Sequence, residues 1–403
     1  MNTNCPICKN SKLFSVLKLG KHPLCDDLVK IKSKKKNKLY KIHINFCKNC
    51  ITAYQKFEVP KKILFPKNYH YRSNLTKDVL FGMRDFANES FKILKNLKNK
   101  KILDIGCNDG SLLDIFKKKK AITIGIEPTD AAKEAKLKGH EVYQAYINKK
   151  VIKKIKKKHN QIDIITFTNV FAHIEDFKNL LKNLSMILSK NTVLIIENHY
   201  LGSVIKKNQF DTFYHEHPRT YSLKSFVKIS NLLNLNLFKF AFPKRYGGNI
   251  RVFMSRSKKK TTNNLKKILN NEKKYFFTLS SLDKNVSIWK KNKKVEIEHL
   301  VKKFGPLPAK AFPGRAAILL KLLNLNENLI SAIYEQEKSP KIGYYAPGTK
   351  IPILPDINLK FINNKIPIIN FAWHISNEIR NYLKKNKIKN KVIDILGKKD
   401  FIK

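Results

Sequence analysis

Lys101-Ile-Leu-Asp-Ile-Gly-Cys-Asn-Asp-Gly-Ser-Leu-Leu113 decides the fold. Ile102, Leu103 and Ile105 make a short apolar run ending at Gly106, and Ser111-Leu-Leu-Asp-Ile-Phe116 continues at helical spacing. A strand, a glycine turn and a helix in that order form the first βα unit of a nucleotide-binding sheet. Glycine is expected at 106 and 110, because a backbone pressed against an adenosine-like ligand tolerates no Cβ and turns through positive φ. The dinucleotide fingerprint G-x-G-x-x-G is excluded, since Asn108 stands where its second glycine would be. Asp104, Asn108 and Asp109 instead make a polar rim that suits a cation better than a pyrophosphate.

The next apolar run, Ala121-Ile-Thr-Ile-Gly-Ile-Glu127, ends in a carboxylate at the spacing where a ribose diol would lie. Turn and carboxylate together resemble the S-adenosylmethionine (SAM) site of class I methyltransferases. Strands expected at 101–106, 121–127, 141–144, 163–169 and 192–198 alternate with helices near 111–119, 129–138, 148–158 and 174–190, the pattern of a doubly wound parallel sheet. Ligands sit beyond the carboxyl ends of such strands. That rule singles out Asn169 and His173 after the fourth strand and Glu197, Asn198 and His199 after the fifth, each of which, taken singly, reads more readily as a cap or a satisfied loop residue.

Five of the six cysteines fall in residues 1–60, and Cys5-Pro-Ile-Cys8 with Cys47-Lys-Asn-Cys50 forms two C-x-x-C knuckles. Four thiolates at this spacing suit a tetrahedral Zn²⁺ site with no open position, hence a structural metal. Cys25 has no partner at knuckle spacing and is expected to be a packing residue. Residues 61–99 form a hinge: Pro66-Lys-Asn-Tyr69-His-Tyr71-Arg-Ser73, then a helix from Thr76 through Leu97. Its tyrosines either line a polar pocket or pack on the helix below.

A second cluster, Phe210-Asp-Thr-Phe-Tyr214-His-Glu-His217-Pro-Arg219-Thr-Tyr221, gathers two histidines, a glutamate, an arginine and two tyrosines ahead of a helix at 223–233. His215 and His217 lack a third metal ligand, whereas general base catalysis needs one oriented imidazole. A strand near 236–242 and a closing strand at 250–255 flank Gly247-Gly248 and Arg251, which either approach a substrate phosphate or form a hairpin bend. Residues 257–304 are expected to be a connecting pair of helices. Residues 305–403 restart α/β alternation, with helices at 314–323 and 376–383 and a strand at 368–373.

With 82 basic and 30 acidic residues the chain carries +52. Short lysine clusters (117–120, 153–158, 258–260) without interleaved aromatics fit solvated helix faces better than a nucleic-acid platform. No apolar run reaches a membrane span and the start lacks a signal peptide's apolar core, so a cytoplasmic protein without membrane attachment is expected.

Four landmarks in fixed order, the double C-x-x-C, Asp104 to Gly110, Tyr214-His-Glu-His217 and Pro347-Gly-Thr-Lys-Ile-Pro352 followed by Ala372-Trp373, resemble the zinc-containing sugar C-methyltransferases, which methylate C3 of nucleotide-linked 4-keto-deoxysugars. The resemblance implies a zinc domain (1–60), the hinge (61–99), a SAM-binding domain (100–256), connecting helices (257–304) and a C-terminal Rossmann-like α/β substrate domain (305–403). It makes His217 the base, with Tyr214, Glu216, His173 and Tyr71 beside it. SAM would be held by Asp104, Gly106, Asn108, Asp109, Gly110, Glu127 and Asn169, and the substrate by Tyr69, Asn198, Tyr221 and Arg251. The partner would be a small molecule, most simply a nucleotide sugar met by a monomer. Pro218-Arg219-Thr220 and Ala309-Lys-Ala-Phe-Pro-Gly-Arg315 depart from the family pattern. The alternatives are an O-methyltransferase, or a basic zinc-containing nucleic-acid binder or RNA methyltransferase.

Overall fold

The computed structural model describes residues 3–75, 77–257 and 264–402; the lysine cluster 258–260 and the expected helix start at Thr76 lie outside these. Three sheets carry the architecture. The central one has seven strands in the order Asn236–Ala241, Asn249–Ser255, Val193–His199, Ile164–Thr168, Lys101–Ile105, Ile122–Ile126 and Glu141–Tyr143. Its inner strands are nearly continuous apolar runs because both faces are covered by helices such as Ser111–Lys118 and Phe177–Ile187.

The sheet is mixed rather than wholly parallel: Asn249–Ser255 runs antiparallel to both neighbours, with Arg251 opposite Glu197. The preceding strand joins it through a hairpin, where Gly247 and Gly248 take φ of 84° and 128°. A Cβ at Gly248 would collide with Ser203, so these glycines serve the bend and close packing.

The N-terminal sheet is antiparallel in the order Phe14–Pro23, Leu39–Cys47, Thr52–Gln55, and is completed by Arg219–Thr220 from far along the chain. Arg219 lies opposite Tyr54 and Thr220 opposite Ala53. A two-stranded pairing of Val29–Lys30 with Tyr344–Tyr345 ties the same region to the C-terminal unit.

Five parallel strands, Ile353–Pro355, Ile330–Glu335, Leu307–Lys310, Ile368–Asn370 and Val392–Asp394, form the C-terminal sheet. Between the central and C-terminal sheets the described residues form three helices, Leu265–Glu272, Tyr275–Ser280 and Leu282–Phe304, instead of the expected pair. The first is held separately because buried Glu272 accepts hydrogen bonds from the Leu223 and Lys224 amides at 2.8 Å each, at the start of helix Leu223–Leu232. Trp289 on the long helix is fully buried, packs against Phe210 and donates to the Ile395 carbonyl. Among the described residues no helix is long and apolar enough to cross a membrane.

Candidate active site

A cavity of about 1750 Å³ opens beyond the carboxyl ends of the central strands and is walled by all three sheet regions. Asp104, Gly106, Asn108, Glu127 and Asn169 line one end. Asp104 is buried, accepts from the Thr166 hydroxyl at 2.7 Å, and is pushed up to about 7 by burial, with the Glu127 charge adding to it. Glu127 accepts from the Asn108 amide at 3.0 Å and from the Thr129 amide and hydroxyl at 2.9 and 2.6 Å. The Thr168 hydroxyl, in the same wall, is buried with no partner among the described residues. Two carboxylates and an unsatisfied hydroxyl fit a ligand carrying a cationic centre and a diol, which is the chemistry of SAM.

Asp109 and Gly110 stand behind this wall. The Asp109 carboxylate accepts from the Ser111 amide and hydroxyl at the start of helix Ser111–Lys118 and from the Asn74 amide, so it anchors the hinge to this turn. Gly110, at φ 80°, is required because a Cβ there would sit 2.8 Å from His140. The side chain of Asn108 is likewise spent on the hinge, accepting from the Ser73 amide and donating to the Tyr71 carbonyl.

At the other end the segment before strand Arg219–Thr220 brings Tyr214, Glu216 and His217 into the cavity. His217 is buried; its Nδ1 lies 3.0 Å from the Thr212 carbonyl and its Nε2 3.0 Å from the Tyr214 hydroxyl. A carbonyl only accepts, so Nδ1 carries the proton and the Nε2 lone pair accepts from the Tyr214 hydroxyl, becoming available as a base when that phenol turns away. Burial, reinforced by neighbouring imidazoles, holds His217 well below the usual histidine range, so the ring is neutral. His173 stacks on it at 5.0 Å between centroids and His199 lies at the same separation. Burial lowers these two to about 4 and about 3. Glu216 accepts from the Tyr69 hydroxyl at 2.9 Å and is raised to about 8, burial being the main cause and the Asp26 charge the second. Tyr71 and Tyr246 both line the cavity, and burial raises the phenol of each.

Three expected substrate contacts lie elsewhere. Asn198 is buried on the opposite face of its strand from His199, as alternation along a strand dictates. Tyr221 is core, packed between Phe171 and Phe226. Arg251 binds buried Glu197 at 2.6 Å and reaches outward to Asp85 at 3.0 Å and Glu89 at 2.9 Å, an ion cluster that braces the antiparallel strand. His215 bonds the Tyr40 carbonyl and does not line the cavity. Sequence reasoning missed Arg315 and His374, which the C-terminal unit contributes to the wall; their only signal was an unusual strand-to-helix turn and an ordinary histidine after Trp373.

The Sγ atoms of Cys5, Cys8, Cys47 and Cys50 all lie within 4.8 Å of one another, with 3.4 Å between Cys5 and Cys50 and 3.5 Å between Cys8 and Cys47. A tetrahedron with Zn–S bonds of about 2.3 Å has edges of about 3.8 Å, so the thiolates fit zinc and close its coordination. Cys25 is buried outside this group, as a packing residue.

Fold and site define a class I methyltransferase with a zinc knuckle domain in front and a Rossmann-like unit behind. Residues 5–65 match a zinc binding domain model, 81–239 a methyltransferase domain and 244–393 the C-methyltransferase C-terminal domain. C-methyltransferase NovU of Streptomyces niveus is 24% identical over 251 residues, which are 62% of this chain and 60% of that protein's length. A ubiquinone biosynthesis O-methyltransferase of Pelagibacter ubique is 28% identical over 41% of this chain and 68% of its own length. Magnesium protoporphyrin IX methyltransferase of Synechocystis PCC 6803 with bound SAH aligns at a TM-score of 0.34 and 16% identity, covering 45% of this chain and 86% of that one. The three domain matches follow one another in this order along one chain, and the alignment with NovU spans 60% of that protein's length.

Proposed function

We propose that this protein transfers a methyl group from SAM to the carbon beside the ketone of a nucleotide-linked keto sugar, with His217 as the base. The observation that carries this reading is the bonding of the His217 ring: Nδ1–H fixed on the Thr212 carbonyl, Nε2 facing the cavity next to Tyr214. Carbon next to a ketone becomes nucleophilic only when its proton leaves, and a neutral, oriented imidazole is suited to take it. Tyr214 must turn off Nε2 as the ketone arrives, leaving its hydroxyl to hydrogen-bond the sugar. Glu216, kept protonated at neutral pH by burial, holds Tyr69 without placing a charge beside the carbanion. Bound SAM supplies an electrophilic methyl, and holding both reactants in one cavity supplies much of the acceleration. A volume of about 1750 Å³ exceeds the roughly 300–1,000 Å³ of an ordinary single-ligand pocket, as two large reactants require.

The test is to incubate the protein with methyl-labelled SAM and a panel of nucleotide-linked 4-keto deoxyhexoses and to locate the label by NMR. A new C–CH₃ signal at the position beside the ketone supports the proposal; an O–CH₃ signal, or labelled RNA in a parallel incubation, overturns it.

A further inference from the structure

We propose that Arg315 is a catalytic residue of this site, presenting its Nη1–H to the ketone oxygen, where negative charge gathers as His217 removes the neighbouring proton. The inference rests on the function proposed above and adds to it the group that receives that charge.

Arg315 comes from the C-terminal unit yet lines the cavity, with a side chain only 6% exposed. One edge of its guanidinium is fully engaged. Nε and Nη2 grip the two Asp211 oxygens at 2.8 and 2.7 Å, and Nη2 also reaches the Thr212 hydroxyl at 2.6 Å and Gln209 at 3.2 Å. Trp373 donates to the same Asp211 oxygen at 2.8 Å and lies 5.0 Å from the guanidinium carbon. Nη1 is left buried with no partner among the described residues. A donor held so rigidly needs no reorganisation when charge appears in front of it.

Thr212 ties the charged donor to the base, because its hydroxyl accepts from Arg315 and its carbonyl holds His217 Nδ1 at 3.0 Å. Among the described residues, four that line this cavity carry an unpartnered buried atom: Thr168 Oγ1, His173 Nε2, His374 Nδ1 and Arg315 Nη1. Only the guanidinium has a permanent positive charge. That charge also helps depress His217, His199 and His374, each of which is lowered first by burial. In the step itself the C–H bond breaks, the proton passes to His217 Nε2, and the electron pair delocalises onto the ketone oxygen, which accepts from Nη1. A permanent diphosphate is the poorer occupant, because Asp211 already offsets the guanidinium. Lys341, whose ammonium bonds the Phe312 carbonyl, is the better anchor for one.

The test follows deuterium exchange at the carbon beside the ketone, in D₂O without SAM, using thymidine-, uridine- and guanosine-diphosphate 4-keto deoxyhexoses. Arg315→Lys should lose roughly 10²–10³-fold in exchange rate, as expected for one oxyanion donor, with the dissociation constants of SAM and sugar unchanged. Should the lone change compromise folding, Arg315→Gln with Asp211→Asn removes both charges together and should show the same loss. Wild-type exchange rates in a folded variant, or weaker sugar binding at an unchanged rate, overturn the role of Arg315 while leaving His217 in place. Absence of exchange in the wild type across the panel overturns the proposed function and this inference with it.

Discussion

His217 Nδ1 lies 3.0 Å from the Thr212 carbonyl oxygen, and this contact sets the tautomer of the ring. The imidazole therefore reaches the cavity with a lone pair and no charge. His217→Asn is expected to lose roughly 10²–10⁴-fold in methyl transfer, the usual contribution of a positioned base. SAM affinity, measured by calorimetry, should stay within twofold of wild type, since the SAM end is built from other residues. Undiminished turnover would remove His217 from the mechanism.

Strand Arg219–Thr220, two residues beyond His217, is an edge of the zinc domain's sheet. The Ser225 hydroxyl on the following helix also donates to the Cys50 and Ile51 carbonyls. Cys47→Ser should lower zinc content by elemental analysis, lower the melting temperature, and reduce activity far more than SAM affinity. In small zinc domains the metal contributes about 10–16 kcal/mol of apparent binding energy to folding. A variant with full activity and no metal would show that the knuckles do not support the base.

Glu216 titrates near 8 in the folded protein, against an ordinary value near 4.5. The folded state therefore keeps a proton that the unfolded chain releases, so this group erodes stability as pH rises from about 4.5 to about 8. Glu216→Gln keeps an acceptor for Tyr69 but cannot ionise. The difference in melting temperature, variant minus wild type, should grow across that window and level off above it. A flat difference would mean that Glu216 ionises normally.

Arg251 serves the sheet rather than the ligand. Arg251→Met leaves Glu197 buried without one of its cationic partners, which should cost about 3–5 kcal/mol by denaturant titration. Sugar affinity in the folded variant should be unchanged. Weaker sugar binding with full stability would restore Arg251 to the substrate site.

The strands from Lys101 to His199 were legible from apolar runs and the glycine turn, because local periodicity reports directly which face of an element is buried. The two C-x-x-C pairs were equally legible, since metal ligand chemistry is written in spacing. Tyr221, Asn198 and Arg251 were not: a polar residue near a strand end satisfies itself inward or faces a ligand, and only the partner strand decides which. The antiparallel strand that pairs Arg251 with Glu197 settles that case.

The sequence by itself thus determined the donor-binding strands, the two C-x-x-C pairs and the Tyr214–His217 segment, each a pattern of residues near in the chain. The tertiary structure alone decided that Arg219–Thr220 completes the zinc sheet and that Arg315 grips Asp211 from 104 residues away. Such contacts depend on how separately folded layers pack against one another. No local pattern of side chains encodes that packing.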